Sequence, residues 1–298
     1  MSDFFSSGWS YWVTIISLGG VVFCLWLLWS QRQWLENKDV TDTGHEWDGV
    51  TELNYPVPRW WIIFYLGLCA VGLAIMFMYP ALGSNPGSLG FTSRGQAEAD
   101  RLEQLARIQP EYDKFKNLSF EALAGNTDAR ALGERLFLNY CAQCHGSDAK
   151  GSPGFPNLSD NDWLWGGTPE AITHTITEGR HGIMAPLAAA VTPAEADAIA
   201  HYVRSLSGLS SDPTLVPIGQ AKFATVCAAC HGADAKGNHL LGAPNLTDNV
   251  WLNSSSKDTI VKTILEGRTG TMPSQKTLLT ADQIRMLAAY VWGMSNKQ

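Results

Sequence analysis

Residues 139–151 read NYCAQCHGSDAKG, and residues 225–237 read TVCAACHGADAKG. The likeness runs past the two strings. Gly133, Phe137, Cys141, Cys144 and His145 align with Gly219, Phe223, Cys227, Cys230 and His231. After a two-residue insertion in the second copy, Pro156-Asn157-Leu158 aligns with Pro244-Asn245-Leu246, and Trp163 with Trp251. Glu178-Gly179-Arg180 then matches Glu266-Gly267-Arg268, Met184 matches Met272, Thr192 matches Thr280, and Tyr202-Val203 matches Tyr290-Val291. A unit of about 80 residues is duplicated.

Each copy reads as short helices joined by loops. A helix from Thr127, as N-cap, to Tyr140 has a counterpart whose first turn suits Pro217. Pro169–Glu178 and Asp258–Glu266 read as second helices, stopped by Gly179 and Gly267. Pro193–Leu206 and Ala281–Met294 close the copies, capped by Thr192 and Thr280. No sustained period-two alternation appears, so the fold class is mainly α. The copies occupy 125–207 and 218–298, joined by a Ser/Pro-rich linker at 208–217 and preceded by a polar, helix-prone connector at 91–124.

Cys-x-x-Cys-His has a specific use, the covalent attachment of a c-type haem. Thiols at i and i+3 share one side of a helical turn, and the next imidazole faces the iron. A redox dithiol has no need of the His, and a zinc site needs ligands that neither copy supplies. The reading is therefore two covalent haems, held by Cys141 and Cys144 and by Cys227 and Cys230, with His145 and His231 as axial ligands. The repeated candidates for the opposite axial position are Met184 and Met272; thioether ligation raises the potential. His181 competes at the first haem, but Thr269 stands at its place in the second copy. Among the candidates around each ligand set, the carbonyls of Pro156 and Pro244 suit the imidazole N–H. Trp163, Trp251, Arg180 and Arg268 are candidates to line the haem or meet its propionates, against plain packing.

The first 90 residues differ in character. No charged residue stands between Asp3 and Arg32, or between Arg59 and Arg94. Apolar runs at about 11–29 and 60–79 would span ~30 Å as helices, one hydrocarbon core, and both carry aromatic ends. A cleaved signal peptide would need a basic start, whereas Met1–Ser10 holds Asp3 and no Lys or Arg. Arg32, Lys38 and Arg59 put loop 31–59 in the cytoplasm and both ends outside. Of six cysteines, Cys24 and Cys69 fall one in each span and read as small apolar residues. The net charge of −7 and the two spans favour redox partners and a bilayer over nucleic acid.

Each copy resembles a class I cytochrome c domain: a first helix with Gly and Phe, Cys-x-x-Cys-His, Pro-Asn-Leu, a late Met and a closing helix with Tyr. The string DTGHEWDGVTELNYPVPRWW (42–61) between two spans is similar to the membrane anchor of the dihaem subunit III, CcoP or FixP, of cbb3-type cytochrome c oxidases. With the two spans read above, the expected architecture is two transmembrane helices followed by two tandem class I cytochrome c domains, the latter implied by the resemblance. Members often have one span; two here bear on topology. It implies a multi-pass subunit of the bacterial inner membrane, haem domains in the periplasm, within a proton-pumping terminal oxidase that reduces oxygen to water. This chain would pass electrons from a donor cytochrome c toward another c-haem subunit and the haem–copper catalytic subunit, with no oxygen-reducing centre of its own. His45, Glu46, Trp47 and Asp48 are candidates to contact another oxidase subunit. The alternatives are a membrane-anchored dihaem shuttle for another redox complex, and a dihaem peroxidase, at which only His181 hints.

Overall fold

The computed structural model describes residues 7–30 and 40–296. Arg32 and Lys38, which carried part of the topology argument, lie outside them. The chain divides into two compact units, Met1–Ile108 and Gln109–Gln298.

In the first unit, α1 (Ser7–Ser30) precedes a hairpin of β1 (Thr41–Trp47) and β2 (Val50–Asn54), then α2 (Arg59–Met78). Both helices are long and apolar enough to cross a bilayer. Their apolar side chains mostly face outward, Trp12 at 58% and Phe64 at 59% exposure, where a soluble core helix would bury them. Pro56 and Pro58 lead into α2, and Pro80 follows its cap, Tyr79, whose N–H donates to Ile75 O. Beyond α2, the Ser84 N–H donates to Ser10 Oγ at 2.7 Å, and Gly83 adopts φ +58 against the Ser10 backbone. The end of α2 therefore returns to the start of α1. α3 (Ser93–Asp113) then runs through the connector and across the division between the units.

The second unit continues through α4 (Phe120–Gly125), α5 (Thr127–Tyr140), α6 (Ala142–His145), α7 (Pro169–Glu178), β3 (Arg180–Met184) and α8 (Pro193–Leu206). The second copy gives α9 (Val216–Val226), α10 (Ala228–His231), α11 (Lys257–Glu266), β4 (Arg268–Met272) and α12 (Ala281–Ser295). Caps at Thr192 and Thr280 form as expected, each in a capping box, with Glu195 and Gln283. The cap of α5 is Asn126 rather than Thr127, because its side chain accepts from both Asp128 N and Ala129 N. Strands also occur: β1 pairs with β2 and β3 with β4, too short to show period-two alternation.

The two cores do not follow the two copies. One gathers α4, α5 and α7 with α12, through Leu123, Phe137, Ile172, Ile176, Leu287 and Val291. The other gathers α8 with α9 and α11, through Ile199, Val203, Phe223 and Ile264. Each closing helix has changed places. Each core therefore draws on both of the copies, whose expected bounds are 125–207 and 218–298. One core is contiguous and begins with its closing helix, and the other is split around it.

Glycines make the exchanged contacts close. A Cβ on Gly133 would sit 2.5 Å from Tyr290 Cβ, and one on Gly219 2.0 Å from the Ala198 carbonyl oxygen. Glu195 ties α8 to α9 by accepting from Lys222 at 2.9 Å. The Thr192 backbone N–H, then Lys222, hold its carboxyl down at about 2. The stability it contributes is fully present above the ordinary Glu value of ~4.3 and is lost as pH falls through about 2. Glu195→Gln should therefore lower stability at neutral pH, by a loss that vanishes as pH falls through about 2, and so flatten the acid limb of the unfolding curve.

Candidate functional site

Each Cys-x-x-Cys-His string turns directly out of its first helix. The Cys141 N–H donates to Phe137 O at 2.8 Å, and the His145 N–H to Cys141 O at 3.0 Å; the second copy repeats both. Gly146 and Gly232 then take φ +77 and +81, which reverses the chain so that Gly151 N–H reaches His145 O and Gly237 N–H reaches His231 O, each at 2.8 Å. Ala149 and Ala235, fully buried, also adopt positive φ, at +59 and +58. Sequence reasoning had passed over these alanines; a left-handed Ala carries no residue-type signal.

His145 and His231 are buried. The Nδ1–H of His145 donates to Pro156 O at 2.9 Å, and that of His231 to Pro244 O at 3.2 Å. Asn157 and Asn245 brace those carbonyls' loops by accepting from Ser159 and Thr247. With Nδ1 so used, Nε2 is the nitrogen left for a metal. Burial lowers the His231 pKa, which favours the neutral, ligating form.

None of the four motif cysteines is paired in a disulfide. Burial pushes Cys141 and Cys227 up to about 11, each helped by its neighbouring cysteine. These are not low-pKa redox thiols. Among the described residues no group of three or more His, Cys, Asp or Glu gathers to hold a metal ion, so the donor set does not fit zinc. A buried imidazole with one nitrogen pinned, two thiols beside it and a thioether in the same core fits a c-type haem.

The thioether comes from the other copy. Met272 packs on the core that also receives Cys141, Leu158 and Trp163, and Met184 on the one that receives Cys227, Leu246 and Trp251. β3 and β4 carry out the exchange as an antiparallel ribbon. Its register pairs Arg180 with Met272, Gly182 with Gly270 and Met184 with Arg268. Gly179 and Gly267 end α7 and α11 at φ +77 and +75, where a Cβ would strike the carbonyl oxygens of Met272 and Met184. Gln275 N–H donates to Ile176 O and Leu187 N–H to Ile264 O, so each returning segment is tied to the helix end of the opposite copy.

Directly opposed residues on an antiparallel ribbon share a face, so Arg180 stands with Met272 and Arg268 with Met184. Arg180 Nε donates to Thr175 Oγ1 at 2.9 Å, and Arg268 Nε to Thr263 Oγ1 at 3.0 Å. Their environments then diverge. The Arg180 guanidinium lies 4.9 Å from the Trp165 ring centroid, whereas Asn253 takes the Trp165 place in the second copy. His181 is exposed and bonds Thr271 Oγ1 through Nδ1 at 2.9 Å, in neither core.

The family described as cytochrome c oxidase, cbb3-type, subunit III matches residues 128–203 and 215–291, and the N-terminal domain of cytochrome oxidase-cbb3, FixP, matches 39–86. The cbb3-type cytochrome c oxidase subunit CcoP of Rubrivivax gelatinosus is 48% identical over 297 residues, covering 99% of this chain and 97% of that protein. The chain belongs to the CcoP/FixP family.

Other CcoP/FixP proteins agree. The FixP subunit of Bradyrhizobium sp. (strain ORS 278) is 42% identical, covering 84% of this chain and 92% of its own length. The CcoP subunit of Rhodobacter capsulatus is 38% identical, covering 88% and 97%. As a CcoP/FixP subunit, the chain is a membrane-anchored electron-transfer component of an oxidoreductase complex, with two cytochrome c domains and c-type haem. That membership displaces the peroxidase and separate-shuttle readings.

Proposed function

We propose that this subunit holds two c-type haems, one per core, and passes electrons from a donor cytochrome c toward another c-haem subunit and the haem–copper catalytic subunit. The observation that carries this reading is the doubled set of buried imidazole, pinned Nδ1 and core-facing methionine. When bound, each haem supplies a one-electron iron centre. The chain's residues do the rest. Cys141 with Cys144, and Cys227 with Cys230, form the thioethers; Pro156 and Pro244 orient His145 and His231. His145 and Met272 would hold one haem, and His231 and Met184 the other, because each Met packs on the core of the other copy's string. Trp163 and Trp251, each packed on its core, would line the haem and exclude water.

The location is the inner membrane, with both ends of the chain and the haem cores in the periplasm. Two spans are supported by the Ser84–Ser10 hydrogen bond, which brings the start of α1 and the end of α2 to one side. Purification of the native complex in detergent tests the whole reading. Two covalent haems per chain, with b-type haem and copper on companion subunits, are expected; one haem, or no copper-containing partner, overturns it.

Arg180 and Arg268, which share ribbon faces with Met272 and Met184, would meet the haem propionates. A nearby cation favours the ferrous state, and the Trp165 ring shields Arg180 from water. Trp165→Leu, by opening Arg180 to solvent screening, should lower the midpoint potential of the haem at Cys141 by roughly tens of millivolts and leave the other haem unmoved. A redox titration resolving the two haems checks this.

A further inference from the structure

The β1–β2 hairpin is well formed, and among the described residues none covers it. Asp48 and Gly49 take φ +50 and +82 at its tip, the Asp-Gly turn that matches strand twist. Thr43 Oγ1 donates to Glu52 O, and the Gly44 N–H to Asp42 Oδ1. Yet every residue from Val40 to Tyr55 is exposed, with Trp47 at 73% and Val50 at 70%. These two are directly opposed and present one apolar pair on one face. An isolated two-stranded hairpin is marginal in water, and a large aromatic exposed at its tip marks a contact.

Charge selects the partner. Asp42, Glu46, Asp48 and Glu52 line the hairpin, and no Lys or Arg occurs from Val40 to Pro58. His45, 3.5 Å from Glu52, is the one other titratable group among the strands. Anionic lipid headgroups would repel this surface, and so would a second copy of it. A basic protein face with a notch for an indole fits it. Because α1 precedes the hairpin and α2 starts at Arg59, that face lies at the membrane boundary, within reach of the companion subunits of the oxidase.

We infer that the Trp47–Val50 face of the β1–β2 hairpin is a docking surface for a basic face of another subunit of the same oxidase. The inference rests on both apolar helices crossing the membrane. Single cysteines at Thr51 and Ser88, labelled from either side, test that separately and should report opposite sides.

The docking test uses the assembled complex in its membrane. Replacing Trp47 by the photoreactive p-benzoylphenylalanine should give, on irradiation, an adduct with another oxidase subunit. The same probe at Leu53, on the opposite face, should give several-fold less. An adduct only with lipid or a second copy, no adduct, or equal yield at both positions overturns the proposal. Reversing charge with Glu46→Lys and Asp48→Lys should lower several-fold the fraction of chain co-purifying with the catalytic subunit at low salt, at an unchanged amount of chain in the membrane. Unaltered co-purification also overturns it.

Discussion

Met272→His is expected to change the haem attached at Cys141 and Cys144, although Met272 lies 41 residues beyond the second attachment string. Met272 packs on the core of α5, α7 and α12, with Cys141 and Trp163. With the proposed His145 and Met272 pair, replacing the thioether by an imidazole should remove the iron–sulfur band and lower the potential. The drop should be on the order of 100 mV or more, within the ~0.8 V that axial ligands command. Marking one haem makes the assignment possible. Cys230→Ser leaves a single thioether at the second string and shifts that haem's absorption. In that background Met272→His should alter the unshifted haem only, and Met184→His the shifted one only. The reverse pattern would restore ligation within each copy.

The second large effect comes from ending the chain after Gly267. Such a chain keeps both attachment strings but lacks Met272 and α12. Ile284, Met286, Leu287 and Val291 of α12 are buried in the split core. At ~1.5–3 kcal/mol for each fully buried apolar side chain, losing four removes ~6–12 kcal/mol, comparable to a domain's whole stability. The core around His145 should therefore unfold and lose its ordered ligand set. The core around His231 keeps α8, α9, α11 and Met184, and should retain a His/Met spectrum. Haem staining after limited proteolysis should find the second string protected and the first digested. Protection of the first string alone would overturn the exchanged arrangement.

Much of this was legible in the residues. The doubled Cys-x-x-Cys-His, the Pro-Asn-Leu loops that accept from both imidazoles, and the caps at Thr192 and Thr280 are local, so adjacent residues specify them. The glycines that stop α7 and α11 were legible for the same reason. The strands, of five to seven residues, were not, since none of them alternates apolar and polar residues. Nor was Trp165 singled out, because its interest depends on Arg180, fifteen residues away, and it has no counterpart in the second copy.

The sequence by itself determined the cofactor chemistry, the apolar anchor and the identity of every candidate ligand, because attachment chemistry and helix signals reside in contiguous residues. Only the tertiary structure decided which methionine stands with which histidine. The two copies present nearly the same groups at the same positions, so crossed and uncrossed packing bury nearly the same surfaces and leave the same pattern along the chain. The choice lies in the β3–β4 ribbon, where Gly179 and Gly267 admit the carbonyls of Met272 and Met184 from opposite copies.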